Sequence, residues 1–293
     1  MSRMYGYIAA LSLLNYIPLS IAAVTTIESD SYDIVASIIK DKDTRYQPEN
    51  VLLVFDIDNT VLTSQLEVGG DIWYQWQAGK LPLKPGPEEK VPCLYENAIA
   101  LLYSVGSMTL TEPHLNDYMS KWQEKHSVVA LTSRAPDTRN ATERELRKNG
   151  VNFSASPLAA LNESSMPVYQ GRLKRSYNYN NGIMFSSGMD KGVMLDFMLD
   201  KTKRKFDSIV FVDDGIANIQ AMKTMLESEK YRNVDTVLVH YTKVESDLIK
   251  QQGQVLTPGE AKRMTQNWKK LLKTLDEIFP NRVISCDVEK SKA

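Results

Sequence analysis

The 293-residue chain is long enough for one large domain with a modest insertion, and it can bury a substantial core. Its formal net charge of -1, from 35 basic and 36 acidic side chains, excludes a whole-chain electrostatic attraction to nucleic acid or to acidic membranes. Any partner has to be argued from local sites.

In chain order the N-terminus comes first: one early arginine, Arg3, then an apolar stretch rich in Leu, Ile and Ala, Pro18 near its end, and small residues before polar sequence. This pattern predicts a signal peptide over residues 1–23, with Ser20-Ile21-Ala22 or Ile21-Ala22-Ala23 as the cleavage site, and a secreted or periplasmic product. The alternative is an uncleaved anchor, because the stretch approaches the roughly 20 residues that span a bilayer. Asn15 and Pro18 weigh against a span, and no other stretch is long and apolar enough to cross, so no stable membrane association is expected after cleavage.

The segment SDSYDIVASIIKDKD carries polar start signals and apolar residues at helical spacing. It leads into VLLVFDI, a continuous run of branched residues that predicts a central strand buried on both faces. Similar runs recur at 127–133, 208–214 and 234–241, separated by the helical patterns TRNATERELRKNG, KGVMLDFMLDKTKRK and IANIQAMKTMLESEK. Buried strands alternating with helices predict an α/β fold, a Rossmann-like three-layer α/β/α core with a central parallel sheet. Such a sheet holds its ligand at the carboxyl ends of the strands.

Two segments stand outside the alternation. Residues 65–126 are long enough to form a small, mainly helical cap over the site, and residues 165–189 contain Asn-Asn-Gly between alternating stretches, a hairpin signal. The remaining chain, 24–293, is expected to form one domain ending in a helix that opens on Thr-Pro-Gly-Glu and packs an apolar face back. Cys93 and Cys286 fit no metal spacing; they are either one disulfide or two ordinary thiols.

The polar residues ending the predicted strands share one address. Asp56 and Asp58 follow the first, Thr132 the second, and Asp213 with Asp214 another. A carboxylate there can attack phosphorus and form an aspartyl-phosphate, provided a cation offsets the repulsion between anions. Magnesium prefers a few carboxylates plus substrate oxygens, which suits Asp56 and Asp213. Asp58 is placed to protonate the leaving group and then deprotonate water. Thr132 and Lys191, the latter opening a helix, offer fixed donors to the transferring group.

Together, DIDNT, VVALT, Lys191 in GMDKG, and VFVDD resemble the four ordered motifs of the haloacid dehalogenase-like superfamily, spanning residues 51–218. The resemblance implies a magnesium-dependent phosphatase with Asp56 as nucleophile and Asp58 as acid/base. It also implies a metal held by Asp56, the Asp58 carbonyl and Asp213, with Asp214 as a ligand or just outside. More narrowly, FDIDNTVLTS, ALTSR and GIMFSSGMDKG are similar to the exported or host-directed bacterial proteins grouped as domain of unknown function 2608. The expected partner is a phosphorylated substrate, small molecule or phosphoprotein, and not nucleic acid. The competing expectations are a catalytically silent binding or host-interaction protein on the same fold, and a phosphotransferase using the same intermediate.

Other residues carry less. Trp73, Tyr74 and Trp76 are expected in a core rather than a substrate wall, Arg134 reaches phosphate or caps a turn, and His114, His126 and His240 lack metal spacing. The basic clusters GRLKRSY and KTKRKF are read as solvated faces, and Asn140, Asn152 and Asn162 matter only where glycosylation occurs.

Overall fold

Branched runs become fully buried strands, and the segments between them cover both faces of one sheet. The computed structural model describes residues 23–161 and 166–282. In chain order these form β1 (Val24–Ser29), α1 (Tyr32–Arg45), β2 (Val51–Phe55), β3 (Leu62–Ser64), α2 (Asp71–Gln77), α3 (Ala100–Val105), β4 (Met108–Leu110), α4 (Leu115–Gln123), β5 (Ser127–Thr132) and α5 (Arg139–Lys148). There follow β6 (Tyr169–Arg172), β7 (Ser176–Asn180), β8 (Ile183–Phe185), α6 (Lys191–Thr202), β9 (Ser208–Asp213), α7 (Ile216–Leu226), β10 (Asp235–Tyr241), α8 (Lys243–Gln252) and α9 (Pro258–Ile278). The predicted leader and Cys286 lie outside the described residues, as does Asn162.

The main sheet has eight strands in the order β1-β10-β9-β2-β5-β8-β7-β6. All neighbours from β1 to β8 run parallel, and β7 runs antiparallel to both β8 and β6. Side chains alternate across it with the period of two that a strand imposes. Val51, Leu53 and Phe55 meet α1, α4 and α5 on one face, whereas Leu52 and Val54 meet α6 and α7 on the other. The result is a Rossmann-like three-layer α/β/α fold.

The structure departs from the sequence reading in four places. First, β1 is an edge strand in which only Ser29 is buried, so no apolar run announces it; its ladder to β10 supplies the ordering. Second, the hairpin expected over about 165–189 is continuous with the sheet and makes it mixed, because β8 pairs with β5. Its turn, Asn181-Gly182, has positive φ at both residues (52° and 73°), and a Cβ on Gly182 would stand 2.1 Å from the Phe153 carbonyl oxygen. Third, α4 falls within 65–126 yet packs Leu115, Met119 and Trp122 into the main core, with the Trp122 ring stacked 5.6 Å from Phe55. The part that stands apart is therefore bounded by the small β3–β4 sheet. Fourth, α9 packs chiefly on that insertion: Ala261, Met264 and Trp268 form a third cluster with Trp73, Trp76 and Leu102. Its start is the expected capping box, in which Thr257 and Glu260 exchange side-chain to backbone hydrogen bonds.

Candidate active site at the carboxyl ends of the strands

Register brings the strand ends together. Phe55 stands beside Val212 on one side and Ala130 on the other, so the residues that follow emerge at one level. Asp56 donates its backbone N–H to the Val212 carbonyl at 2.9 Å, which fixes its side chain beside Asp213. Into this pair reaches Lys191, the first residue of α6, whose helix is capped by Asp190 accepting the Val193 amide at 2.9 Å. The Lys191 Nζ lies 2.5 Å from Asp56 Oδ1 and 2.6 Å from Asp213 Oδ2, and all three side chains are buried. Asp213 Oδ1 accepts from the Gly215 amide and from Asn218 Nδ2, each at 2.8 Å.

Asp214 completes a cluster in which one oxygen each from Asp56, Asp213 and Asp214 lies within 4.8 Å of the others, close enough to share one cation. Burial pushes the Asp56 carboxyl up to about 8; Lys191 opposes that rise, and Asp213 and Asp58 add to it. Asp214 is pushed well above the usual carboxylate range by burial, then by Asp71, Asp56 and Asp213. Burial works against the Lys191 charge, but Asp213 and Asp56 outweigh it and hold the ammonium above an ordinary lysine. One ammonium is too little cation for three carboxylates where little water screens them, and the raised Asp56 and Asp214 carboxyls are the consequence: without a further cation they hold protons.

Asp58 is held by a different cation. Its two oxygens receive a forked pair of hydrogen bonds from Arg134, Nε to Oδ2 at 2.9 Å and Nη2 to Oδ1 at 2.8 Å. Arg134 is itself buried, lies 4.0 Å over the Tyr103 ring and donates from Nη1 to Thr142 at 2.7 Å. Its side chain is thus bound to Asp58 and Thr142 and does not cap a turn, one of the two roles its sequence position suggested. A cleft between insertion and core opens beside the pair, lined by Asp58, Ser64, Gly70, Tyr103, Arg134 and Glu145.

Thr132 is fully buried at the end of β5, where its hydroxyl oxygen accepts the Arg134 amide at 3.2 Å and keeps its proton to donate. Its carbonyl accepts both the amide and the hydroxyl of Ser186, at 3.0 and 2.8 Å, joining this strand end to the loop before Lys191. Thr60 ties the first loop to the β9 end: its hydroxyl accepts the Asp214 amide at 3.1 Å. Asn59, with φ 52°, turns the chain between them and donates from Nδ2 to Asp71 Oδ2 at 3.0 Å.

Asp71 is the acidic residue that sequence reasoning missed. It opens α2 in the insertion, and burial together with the neighbouring Asp58 pushes its carboxyl up to about 6. Only the Gly-Gly-Asp helix start marks it in the sequence, and that signals a helix end and not an active site.

The remaining candidates sit away from the cluster or serve the fold. Trp73 and Trp76 are fully buried in the core that the insertion shares with α9, whereas Tyr74 turns its hydroxyl to that of Tyr95 at 2.9 Å. His114 is exposed, His126 bonds the Pro48 carbonyl at 2.9 Å, and His240 bonds the Asp214 carbonyl at 3.0 Å. Cys93 is disulfide-bonded. Among the described residues no helix is long and apolar enough to cross a membrane.

Comparison with known proteins gives a relative from Chlamydia pneumoniae whose name calls it an outer membrane protein. It is 23% identical over 181 residues, 60% of this chain, and the matched stretch spans 64% of the relative's length. A family profile described as protein of unknown function (DUF2608) matches residues 28–280, from the last turn of the first edge strand to the end of α9. With nearly the whole described fold inside that match, strand ends and insertion included, this chain belongs to the DUF2608 family.

Proposed function

We propose that this protein is an exported, magnesium-dependent phosphatase of the haloacid dehalogenase type, cleaving a phosphomonoester through an aspartyl-phosphate on Asp56. The observation that carries the reading is the assembly of buried Asp56, Lys191 and Asp213 with half-buried Asp214, from two strand ends and a helix start, into one cluster. Packing alone does not favour it, since unpaired buried carboxylates are costly.

The donor set fits a magnesium ion: three carboxyl groups offer hard oxygens at one point, and a divalent cation would take the place of the protons that the raised Asp56 and Asp214 hold. Asp56, Asp213 and Asp214 would hold it, with the Asp58 carbonyl as the further ligand that the family resemblance implies. When bound, the ion withdraws charge from the phosphoryl oxygens.

The chain's own groups do the rest. Asp56 presents a carboxylate oxygen to phosphorus, and the bond from phosphorus to the leaving oxygen breaks as the acyl-phosphate bond forms. Lys191 opposes the rise that burial imposes on Asp56 and faces the developing charge. The Thr132 hydroxyl donates its proton toward a phosphoryl oxygen. Water then cleaves the acyl-phosphate, with Asp58 as the acid and base of the two halves.

One observation favours the silent, ligand-binding alternative: both carboxylate oxygens of Asp58 are taken by Arg134. In the phosphatase reading substrate entry must free Asp58 from that pair. Export is supported by the leader-like N-terminus and, at a distance, by the outer-membrane name of the Chlamydia relative.

The test is hydrolysis of p-nitrophenyl phosphate by the purified protein, with and without magnesium, beside Asp56→Asn. Magnesium-dependent turnover that falls by at least about a thousandfold in the variant is expected, the scale on which losing a nucleophile acts. A wild-type protein that folds and binds magnesium yet turns over none of a broad set of phosphoesters would leave the binding reading.

A further inference from the structure

Asp58 is the looser partner of its ion pair. Arg134 has three supports besides it: Nη1 donates to Thr142 at 2.7 Å, Nη2 donates to Met108 Sδ at 3.0 Å, and the guanidinium lies 4.0 Å over the Tyr103 ring. These supports come from α5, β4 and α3, and none of them depends on Asp58. The Arg134 side chain is 2% exposed, against 14% for Asp58. A departing Asp58 therefore leaves the guanidinium in place.

The vacated fork would be a buried cation without a partner, a costly state in a protein interior. Among the described residues the cleft beside it lends no replacement. Glu145, the other acid lining that cleft, already accepts the Met108 amide at 2.8 Å on Oε2 and Arg144 Nε at 2.9 Å on Oε1. The cleft has the Asp58–Arg134 pair in its wall, so an anion entering between insertion and core meets the fork there. Shape selects the anion. Nε and Nη2 donate side by side to the two oxygens of one carboxylate, at 2.9 and 2.8 Å, and a second carboxylate fits where the first stood.

Building on the phosphatase reading, we propose that the Arg134 fork is a substrate site, where a carboxylate on the alcohol part of the substrate takes the place of Asp58 and frees it to serve the leaving oxygen. Asp58 lies two residues past Asp56, so the incoming carboxylate belongs within a few bonds of the ester oxygen. The substrate class is the phosphate ester of a small hydroxy acid. A phosphorylated serine or threonine inside a protein has its carboxyl locked in an amide and lacks the group that the fork takes.

Binding tests the exchange apart from turnover, with phosphonates whose carbon–phosphorus bond is not hydrolysed. 3-Phosphonopropionate and propylphosphonate have the same length and differ by a carboxylate in place of a methyl group. Both are titrated by calorimetry into the full chain with magnesium present. The wild type should bind the carboxylate-bearing compound about fivefold more tightly, a modest margin because Asp58 competes for the fork. Asp58→Asn removes the competing anion and should widen the margin to about fiftyfold. Arg134→Lys keeps the charge without the fork and should shrink it to about twofold or less. The margin is a ratio within one protein, so a misfolded fraction does not move it, and Asp58→Asn decides by itself where Arg134→Lys fails to fold. Equal affinities in the wild type, a margin that Asp58→Asn leaves unchanged, one that Arg134→Lys retains, or binding of neither phosphonate overturns the exchange. If the margin behaves as expected while the wild type hydrolyses no phosphoester, the fork stands as an anion site and the phosphatase reading falls. Hydrolysis of p-nitrophenyl phosphate with equal phosphonate affinities keeps that reading and removes the exchange.

Discussion

Val54 and Trp73 are both fully buried, but the regions around them are built differently. Around Val54 the core is made of branched side chains on parallel strands, with helices from the intervening chain closing both faces. Around Trp73 the insertion cannot cover itself; its ring packs 5.8 Å from Trp268, supplied by α9 at the other end of the chain. That second cluster also buries Trp73 Nε1 and Trp76 Nε1 with no hydrogen-bond partner among the described residues. Each such group costs about 1–3 kcal/mol. On this contrast the site floor should be the last part of the molecule to open, and the roof, held by α9 as a strap, should open separately from it.

The largest stability effect should come from the floor. Lys191→Met removes the one ammonium between Asp56 and Asp213 and leaves two buried carboxylates without it, which should cost about 3–5 kcal/mol in urea unfolding without magnesium. Magnesium near a hundred times its dissociation constant would return about 2.7 kcal/mol. A loss below about 1 kcal/mol in metal-free protein would mean that the carboxylates are relieved by other means, and the cation-seeking account of the cluster would fail.

Next comes the roof. Trp268→Ala deletes the ring that closes the second cluster, at a cost of about 3 kcal/mol. The comparison predicts where that loss appears: hydrogen exchange should quicken across residues 71–105 and 258–278 while β2 and β9 keep their protection. Equal quickening in the strands would make the insertion and the sheet a single cooperative unit.

How far these features could be read beforehand follows the same division. The strands were legible because a run such as VLLVF can only be buried on both faces, and a parallel sheet places all its strand ends at one edge. That brought Asp56, Thr132, Asp213 and Asp214 to one address, and the helix start brought Lys191. Arg134 was visible but its partner was not, because the fork onto Asp58 depends on a pocket made by Tyr103, Met108 and Thr142 from three separate elements. Asp71 was missed for a related reason: an isolated acid acquires meaning only when the insertion folds it against Asn59. The edge strand β1 and helix α8 lack the buried apolar runs that mark an element, and α8 has no buried residue at all. Trp73 and Trp76 could be assigned to a core, yet nothing local says that Trp268 completes it.

The smallest effect offers the sharpest discrimination. Thr257 caps α9, its hydroxyl accepting the Glu260 amide at 3.2 Å while Glu260 accepts the Thr257 amide at 2.7 Å. Thr257→Ala should cost about 1 kcal/mol of helix stability. The cap touches neither the sheet nor the carboxylate cluster, so any consequence for the site must travel through α9 and the tryptophans it holds. If the strap account is right, exchange in 71–77 should quicken about fivefold, the factor expected from about 1 kcal/mol, with no change in β2. Quickening confined to the first turns of α9 would show that the insertion stays shut without the strap, and that its own packing and β3–β4 are enough to hold the roof.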